Sequence, residues 1–172
     1  SVATADPEYG DRADNRFKLQ AEQQLQQSGL PYLIFRPSWF MESLPLMRQK
    51  QRMIHIGPST KPMHWLTAQD YAELISQSFA NPTARHQTIT VYGPQALTMR
   101  QAIATYAAHH QLPVSRLPSW LARLMGRLFK DELLVDVADL LEHFDQHGEK
   151  TVPNAVRTRT TLNQWLSTQA GM

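Results

Sequence analysis

The stretch SGLPYLIFRP, residues 28–37, decides the fold predicted for this chain. Its Gly29 is typical of the position just past a helix terminus. The run that follows, residues 32–35, is apolar without alternation, which is the pattern of a strand buried on both faces in a parallel sheet. Arg36 and Pro37 end the run. Helix, glycine and buried strand together predict half of a βαβ unit.

The residues before this stretch predict the helix. Asp14 or Asn15 can cap it, because both side chains accept hydrogen bonds from the free backbone amides at a helix start. Phe17, Ala21 and Leu25 recur at a spacing of four residues, so the helix is predicted to carry them on one shared apolar face.

Further on, the sequence alternates between strand and helix patterns. Strands are predicted at residues 53–56 and 88–92. The last third of the chain is predicted to be mostly helical. The predicted helices are residues 40–52, with a break or start near Pro45, three helices that begin at Thr67, Thr98 and Thr160, and two amphipathic helices at 119–129 and 131–147.

Composition excludes several classes of protein. With 172 residues, 42% hydrophobic and 19% charged, the chain has enough apolar material for the core of one domain, which excludes intrinsic disorder. It has no cysteine, which excludes disulfide scaffolds, thiol catalysis and iron–sulfur ligation. A net charge of +2 gives no reason to expect nucleic-acid binding. No targeting segment or membrane-spanning run is visible, so we expect a soluble, cytoplasmic protein.

The 7 glycines are dispersed along the chain. A dinucleotide fingerprint or a P-loop needs two or three glycines within about eight residues, because only glycine lets backbone amides close around phosphate. The sequence contains no such loop. Any nucleotide-binding function therefore needs a phosphate cradle from elsewhere.

Two neighbouring segments resemble the NmrA-like group of atypical short-chain dehydrogenase/reductases. Residues 18–22, KLQAE, precede residues 28–42, which are similar to the family pattern SGLPYTILRP-x-x-F-M-E-N. The chain departs from that pattern at Leu33, Phe35 and Ser43. Three later segments resemble the family in the same order: residues 64–72, 92–98 and 160–166.

The resemblance implies an α/β fold with a partial Rossmann-type parallel sheet. The chain would be a single region from the C-terminal part of such a protein, with the sheet over roughly residues 1–110 and a helix-rich substrate-side segment over roughly 111–172. The glycine-rich first turn and about three βαβ units, roughly 30 residues each, would lie upstream of Ser1. We therefore expect a chain that derives from a truncated gene, a cloned segment or proteolysis.

The family's reductases use a Tyr-x-x-x-Lys pair, in which the lysine lowers the pKa of the tyrosine and holds the nicotinamide ribose. Lys18 occupies the lysine position, but Asp14 stands in the tyrosine position. A carboxylate beside a lysine is ionised at neutral pH and is a poor acid toward a carbonyl oxygen. The resemblance thus implies Lys18 as a catalytic residue and puts the standard mechanism in doubt. Tyr9, in the preceding loop, is an alternative proton donor.

The resemblance also implies a set of cofactor-binding residues, because the loop after the strand borders the nicotinamide in this family. The set is Ser1, Lys18, Pro37, Ser38, Trp39 and Phe40. From the residues alone, two alternatives stay open. Lys18 can be a surface lysine paired with Glu22, and Trp39 and Phe40 can pack beneath the neighbouring helix.

Two further patterns are weaker. His143 and His147 lie four residues apart on a helix, but Phe144 stands where a zinc protease has glutamate, so no metal site is expected.

One helix carries apolar residues opposite basic ones, which suits a core-facing helix, a partner helix or a membrane-surface helix. The apolar residues are Trp120, Leu121, Leu124 and Leu128, and the basic ones are Arg123, Arg127 and Lys130.

Three functions remain open. The first is an NAD(P)-dependent oxidoreductase or epimerase-like enzyme acting on a small carbonyl or quinone-type substrate, with NAD(P) bound by the complete protein but not by this chain alone. The second is a non-catalytic dinucleotide sensor that works through a protein partner, which the aspartate in place of tyrosine suggests. The third is an inactive remnant. We expect a small-molecule substrate and a protein partner or self-association, without nucleic acid or membrane.

Overall fold

The computed structural model describes residues 13–81 and 85–169. Its helices are α1 (Ala13–Gln27), α2 (Ala68–Ala80), α3 (Met99–His109), α4 (Ser119–Phe129), α5 (Glu132–His147) and α6 (Leu162–Gln169), with a 3₁₀ helix at Met41–Met47. Its strands are β1 (Leu33–Pro37), β2 (Trp39–Phe40), β3 (Arg48–Gln49), β4 (Arg52–Ile56), β5 (Pro62–Leu66), β6 (Gln87–Tyr92), β7 (Gln95–Thr98), β8 (Val114–Leu117) and β9 (Val156–Arg157).

The parallel pairing predicted for the run after Gly29 is confirmed. β1 pairs in parallel with β6, with Leu33 opposite Gln87 and Pro37 opposite Val91. β6 pairs in parallel with β9 on its other side, so the strand order is β1-β6-β9. The chain passes through α2 between β1 and β6, as a parallel crossover requires. The fold is therefore α/β with a parallel sheet.

Two further three-stranded sheets are present. β5 lies between β2, which is parallel to it, and β7, which is antiparallel. β4 lies between β3, which is antiparallel, and β8, which is parallel. The strands predicted at residues 53–56 and 88–92 are confirmed as β4 and β6. The short strands β8 and β9 lie within the region predicted to be mostly helical. They were not predicted, because strands of two to four residues are too short to show an alternating pattern.

The end of β6 lies directly against β5. A Cβ atom on Gly93 would stand 1.4 Å from the carbonyl oxygen of Trp65, so only glycine fits there. Trp65 is fully buried, and its indole N–H donates to the carbonyl of Leu97 at 3.0 Å. This close approach brings Tyr92, the last residue of β6, beside β5.

The hydrophobic core joins the 3₁₀ helix, β4 and β5 to the helices that follow. Burial of these side chains is the main favourable free energy that fixes their positions. The completely buried members, at 0% or 1% exposure, include Met41, Leu44, Met53, Trp65, Ile103 and Leu162.

The helix predicted at residues 40–52 is wrong. The segment forms the end of β2, then the 3₁₀ helix Met41–Met47, then β3 and the start of β4. Pro45 lies inside the 3₁₀ helix. Proline lacks an amide hydrogen and its ring obstructs the preceding α-helical turn, so a short 3₁₀ helix replaces the longer α-helix.

The apolar face predicted for α1 is also not the buried one. Phe17 is 70% exposed, Ala21 is exposed, and Leu25 is only half-buried. The contact between α1 and β1 is instead polar. Glu22 forms a bidentate ion pair with Arg36, with Nε–Oε1 and Nη2–Oε2 distances of 3.1 and 2.5 Å. Helical periodicity identified a face but not the neighbour that the face meets.

Of the three alternatives for the helix at 119–129, the core-facing one is wrong as well. α4 buries Ser119, Ala122 and Gly126, whereas Trp120 and Leu128 are 61% and 72% exposed. Small side chains let α4 approach α5 closely, so the larger ones face outward. No described helix combines the length and apolar character that crossing a bilayer requires.

Candidate functional site

Polar and aromatic side chains from three strands meet at one edge of the parallel sheet. Ser38 follows β1 directly, Tyr92 ends β6, and His64 lies within β5. The hydroxyl of Ser38 lies between two acceptors for its one hydrogen, the carbonyl oxygen of His64 at 2.6 Å and the carboxylate of Glu149. In open α/β sheets, ligands bind at the carboxyl ends of the strands, which is the edge where these residues lie.

Glu149 joins these strands into a cluster. Its Oε2 accepts from the backbone N–H of His64 at 2.9 Å and lies 2.5 Å from Nδ1 of the same residue. Its Oε1 is hydrogen-bonded with the hydroxyl of Ser38. The Glu149 side chain is 7% exposed and the His64 side chain is 18% exposed. A carboxylate so buried is stable only with such partners, so Glu149 holds the cluster together.

Tyr92 is the fourth member of the cluster and contacts His64. Its ring stacks on the ring of His64, with a centroid distance of 4.7 Å and an interplanar angle of 18°. Its hydroxyl donates to the carbonyl of Lys150 and accepts from the amide of Val152 at 3.2 Å. The guanidinium carbon of Arg157 lies 5.8 Å from the ring centroid, a cation–π contact. Tyr92 therefore fastens the segment after Glu149 across the strand ends.

The cluster, which comprises Ser38, His64, Tyr92 and Glu149, is suited to holding or moving a proton. A carboxylate on Nδ1 orients the imidazole and favours the tautomer with hydrogen on Nδ1. The other ring nitrogen of His64 is then the atom that can exchange a proton with a ligand. Partial exposure of the ring gives a small molecule access to it.

The predicted site residues are only partly brought together. Pro37 and Ser38 lie at the strand edge and are buried, and Ser38 belongs to the cluster. Lys18 is half-buried on α1, one turn before Glu22, whose carboxylate is bonded to Arg36. Ser1, Tyr9 and the side chain of Asp14 lie outside the described residues, so their predicted roles stay predictions.

Trp39 and Phe40, predicted as cofactor-binding residues, are engaged in packing. Trp39 lies against Trp65 and Phe144, with centroid distances of 6.0 and 5.6 Å. Phe40 lies edge-on to Tyr71 of α2, at 5.4 Å. These contacts match the packing alternative, and a role toward a cofactor stays a prediction.

Sequence reasoning did not identify His64, Tyr92 or Glu149 as functional residues. His64 and Tyr92 fall within segments that resemble the family, and the position of Tyr92 at the end of a predicted strand was a usable signal. Glu149 offered none, because it follows a helix-terminating glycine and lies 85 residues from His64.

A second polar feature lies between α2 and the segment before α6. Asp70 accepts from the amides of Arg159 and Thr160 at 3.1 and 2.9 Å and from the Thr160 hydroxyl at 2.8 Å. Burial acts to raise the pKa of Asp70, but these hydrogen bonds outweigh it and lower that pKa. A cleft of about 260 Å³ adjoins it, lined also by Glu73, Gln77 and Arg157.

The described residues do not form a pyrophosphate cradle. Four helix N-termini are occupied by the chain's own side chains, since backbone amides of α2, α3, α5 and α6 donate to Thr67, Thr98, Asp131 and Thr161. A phosphate at any of these ends would have to displace the cap. At these four helix ends, the described residues therefore do not fit the phosphate half of a dinucleotide.

Residues 13–81 and 85–169 also contain no group of three or more histidine, aspartate or glutamate side chains placed to bind a metal ion. The rings of His143 and His147 are adjacent, with centroids 4.3 Å apart. Nδ1 of His147 lies 2.9 Å from the carbonyl of His143, an interaction within the helix.

Comparison with solved structures identifies the fold. The NADPH-dependent quinone oxidoreductase QOR2 of Escherichia coli, solved with NADPH, superposes with a TM-score of 0.72 at 19% identity, over 92% of this chain and 60% of that protein. A nucleoside-diphosphate-sugar epimerase of Staphylococcus aureus gives 0.69 at 17% identity, over 88% and 57%. The chain has the Rossmann-type fold of these reductases and epimerases.

Sequence comparison gives a match over a shorter part of the chain. The chain is 29% identical over 102 residues to an NAD(P)H azoreductase of Xenophilus azovorans, which covers 58% of this chain and 36% of the azoreductase. No family model matches the chain. The chain thus spans about a third of this relative and less than two thirds of the similar solved structures.

Proposed function

We propose that this chain is the substrate-side part of an NAD(P)H-dependent oxidoreductase of the NmrA-like type, acting on a small carbonyl or quinone-type substrate. The observation that carries the proposal is the cluster of Ser38, His64, Tyr92 and Glu149 at the carboxyl edge of the parallel sheet. The shared fold and the azoreductase and quinone oxidoreductase similarity support it. We expect residues outside the described ones to hold the pyrophosphate, because side chains cap four of the described helix N-termini.

His64 is the proposed proton donor. Reduction of a carbonyl or quinone consumes a proton, which the family's tyrosine would supply, and the sequence has Asp14 at that position. The Glu149 carboxylate holds His64 at Nδ1 and orients the ring, so the opposite nitrogen is the one placed to deliver a proton. Glu149 acts through His64 and is a positioning residue.

The test compares two variants of the protein expressed from its full native reading frame. We expect His64→Gln to lower turnover of a quinone and aldehyde panel with NADPH by about 10²-fold or more. Glu149→Gln should lower it less, because His64 keeps its ring but loses the carboxylate that orients it. Glu73→Gln, an exposed helix position, is the matched control and should leave the rate unchanged.

Two results would contradict the proposal. Turnover by His64→Gln equal to that of the unmodified protein would remove His64 as the proton donor. Saturable NADPH binding without turnover of any panel member would remove the enzymatic function. That second result would favour the alternative, a non-catalytic dinucleotide sensor, which the aspartate at position 14 also supports.

A further inference from the structure

Helix α4 turns its small residues inward and its large apolar residues outward. The buried positions are Ser119, Ala122 and Gly126. A Cβ atom on Gly126 would lie 2.6 Å from Cγ2 of Val135 on α5, so the two helices are in close contact. Arg123, on the flank toward α5, pairs with carboxylates of that helix. The packing of α4 on α5 is therefore complete without the large apolar side chains.

The outward face is large enough for a protein interface. Six side chains from α4 and the first turn of α5 are between 37% and 73% exposed, and together they present roughly 700 Å² of mainly apolar surface. The largest apolar patch on a monomer is usually about 300–600 Å², and a standard interface covers about 800 Å² on each partner. The six, defined here as the α4 patch, are Trp120, Leu124, Met125, Leu128, Phe129 and Leu133.

The charges beside the α4 patch are of both signs. Arg127 and Lys130 are exposed at the end of α4, and Glu132 and Asp136 are exposed at the start of α5. None of these four forms an ion pair within the described residues. An anionic lipid surface would attract the two cations but repel the two carboxylates beside them. A second copy of the same face carries the same four charges, which sum to zero, so its approach meets no net electrostatic repulsion.

We propose that the α4 patch is an interface between two copies of this chain, arranged about a two-fold axis with α4 against α4. Leu124 lies midway along the exposed stripe that Trp120, Leu124 and Leu128 form at four-residue spacing, so it is expected near the axis and against its own counterpart. This proposal does not depend on the proposed enzymatic function, since it concerns a face that carries none of the cluster residues.

The first experiment measures the mass of the 172-residue chain by sedimentation equilibrium over a wide concentration range. We expect a dimer that dissociates on dilution. Leu124→Glu should raise the dissociation constant by at least about 100-fold, because it buries a charge in the apolar centre of the interface. Phe79→Glu, at a 73% exposed position on α2, is the matched control and should not change it. Circular dichroism melting verifies that both variants fold.

The second experiment uses the absence of cysteine from the chain. Leu124→Cys, placed at the axis, should form a disulfide-linked dimer rapidly under mild oxidation, whereas Phe79→Cys should not. A monomeric wild-type chain, a dimer that persists in folded Leu124→Glu, or equal cross-linking of both cysteine variants would overturn the proposal. Binding of the wild-type monomer to phosphatidylglycerol vesicles, abolished by Leu124→Glu, would likewise overturn it in favour of a membrane-surface helix.

Discussion

At the scale of single residues, we expect acid to affect stability through two groups, the buried His55 and the half-buried Asp70. Burial, with repulsion from Arg116 and Arg100, lowers the pKa of His55, which is 3% exposed in β4. Burial acts to raise the pKa of Asp70, but its hydrogen bonds outweigh burial and lower that pKa. For both groups the unfolded chain binds more protons than the folded chain, so the stability each contributes rises with pH and is lost as the pH falls.

The two groups act in different pH ranges, which allows a test. The free energy of unfolding should begin to fall below pH ~6.5, where the unfolded His55 takes up a proton, and fall again below pH ~4 as Asp70 becomes protonated. In Asp70→Asn the second decline should be shallower and the first unchanged. Urea titrations from neutral to acid pH measure this. Asp136→Asn, an exposed control, should retain both declines, and an equal slope below pH ~4 in wild type and Asp70→Asn would contradict the assignment.

At the scale of elements, the contact between α4 and α5 decides which face of α4 is free. Alanine is favoured over glycine inside a helix by about 1 kcal/mol, so Gly126→Ala would stabilise an isolated α4. In the folded chain the added methyl would meet Val135 Cγ2 at 2.6 Å and the Asp131 carbonyl oxygen at 2.9 Å.

We therefore expect the clash to outweigh helix propensity. Gly126→Ala should lower the free energy of unfolding by about 1–3 kcal/mol, the usual cost of overpacking. Urea denaturation measures the change, and Ser76→Ala, at an exposed position within α2, is the control and should have little effect. A more stable Gly126→Ala would show that α4 does not approach α5 as closely as described.

At the scale of the whole molecule, we expect the described residues not to hold the phosphate half of a dinucleotide. The dispersed glycines exclude a phosphate-binding loop, and side-chain caps occupy the N-termini of four described helices. We expect NADPH titration of the 172-residue chain to give no saturable quenching of its 4 tryptophans. Three of these, Trp39, Trp65 and Trp165, are buried, so the exposed Trp120 serves as the internal check on nonspecific quenching. Saturation at micromolar NADPH would refute the expectation.

Much of the fold was predictable because its signals are local. The run at 32–35 predicted a strand in a parallel sheet, and its pairing with residues 87–91 confirms that pattern. Helix starts at Thr67 and Thr98 follow from side chains that cap the amides three residues on. The helix predicted at 40–52, with a break or start near Pro45, was wrong because this proline restricts the helical part to a short 3₁₀ helix. The candidate cluster was not predictable, because Glu149 meets His64 only through the path of the folded chain.

By itself the sequence determined the α/β class, the parallel strand after Gly29 and the lack of a glycine-rich phosphate loop. These follow from short-range patterns, because backbone preference and the period of apolar residues act over a few positions. The tertiary structure alone decided that Glu149 holds His64 and that α4 exposes its large apolar residues. Periodicity tells which residues share a face, but burial depends on which distant element packs there, and sequence spacing does not contain that contact.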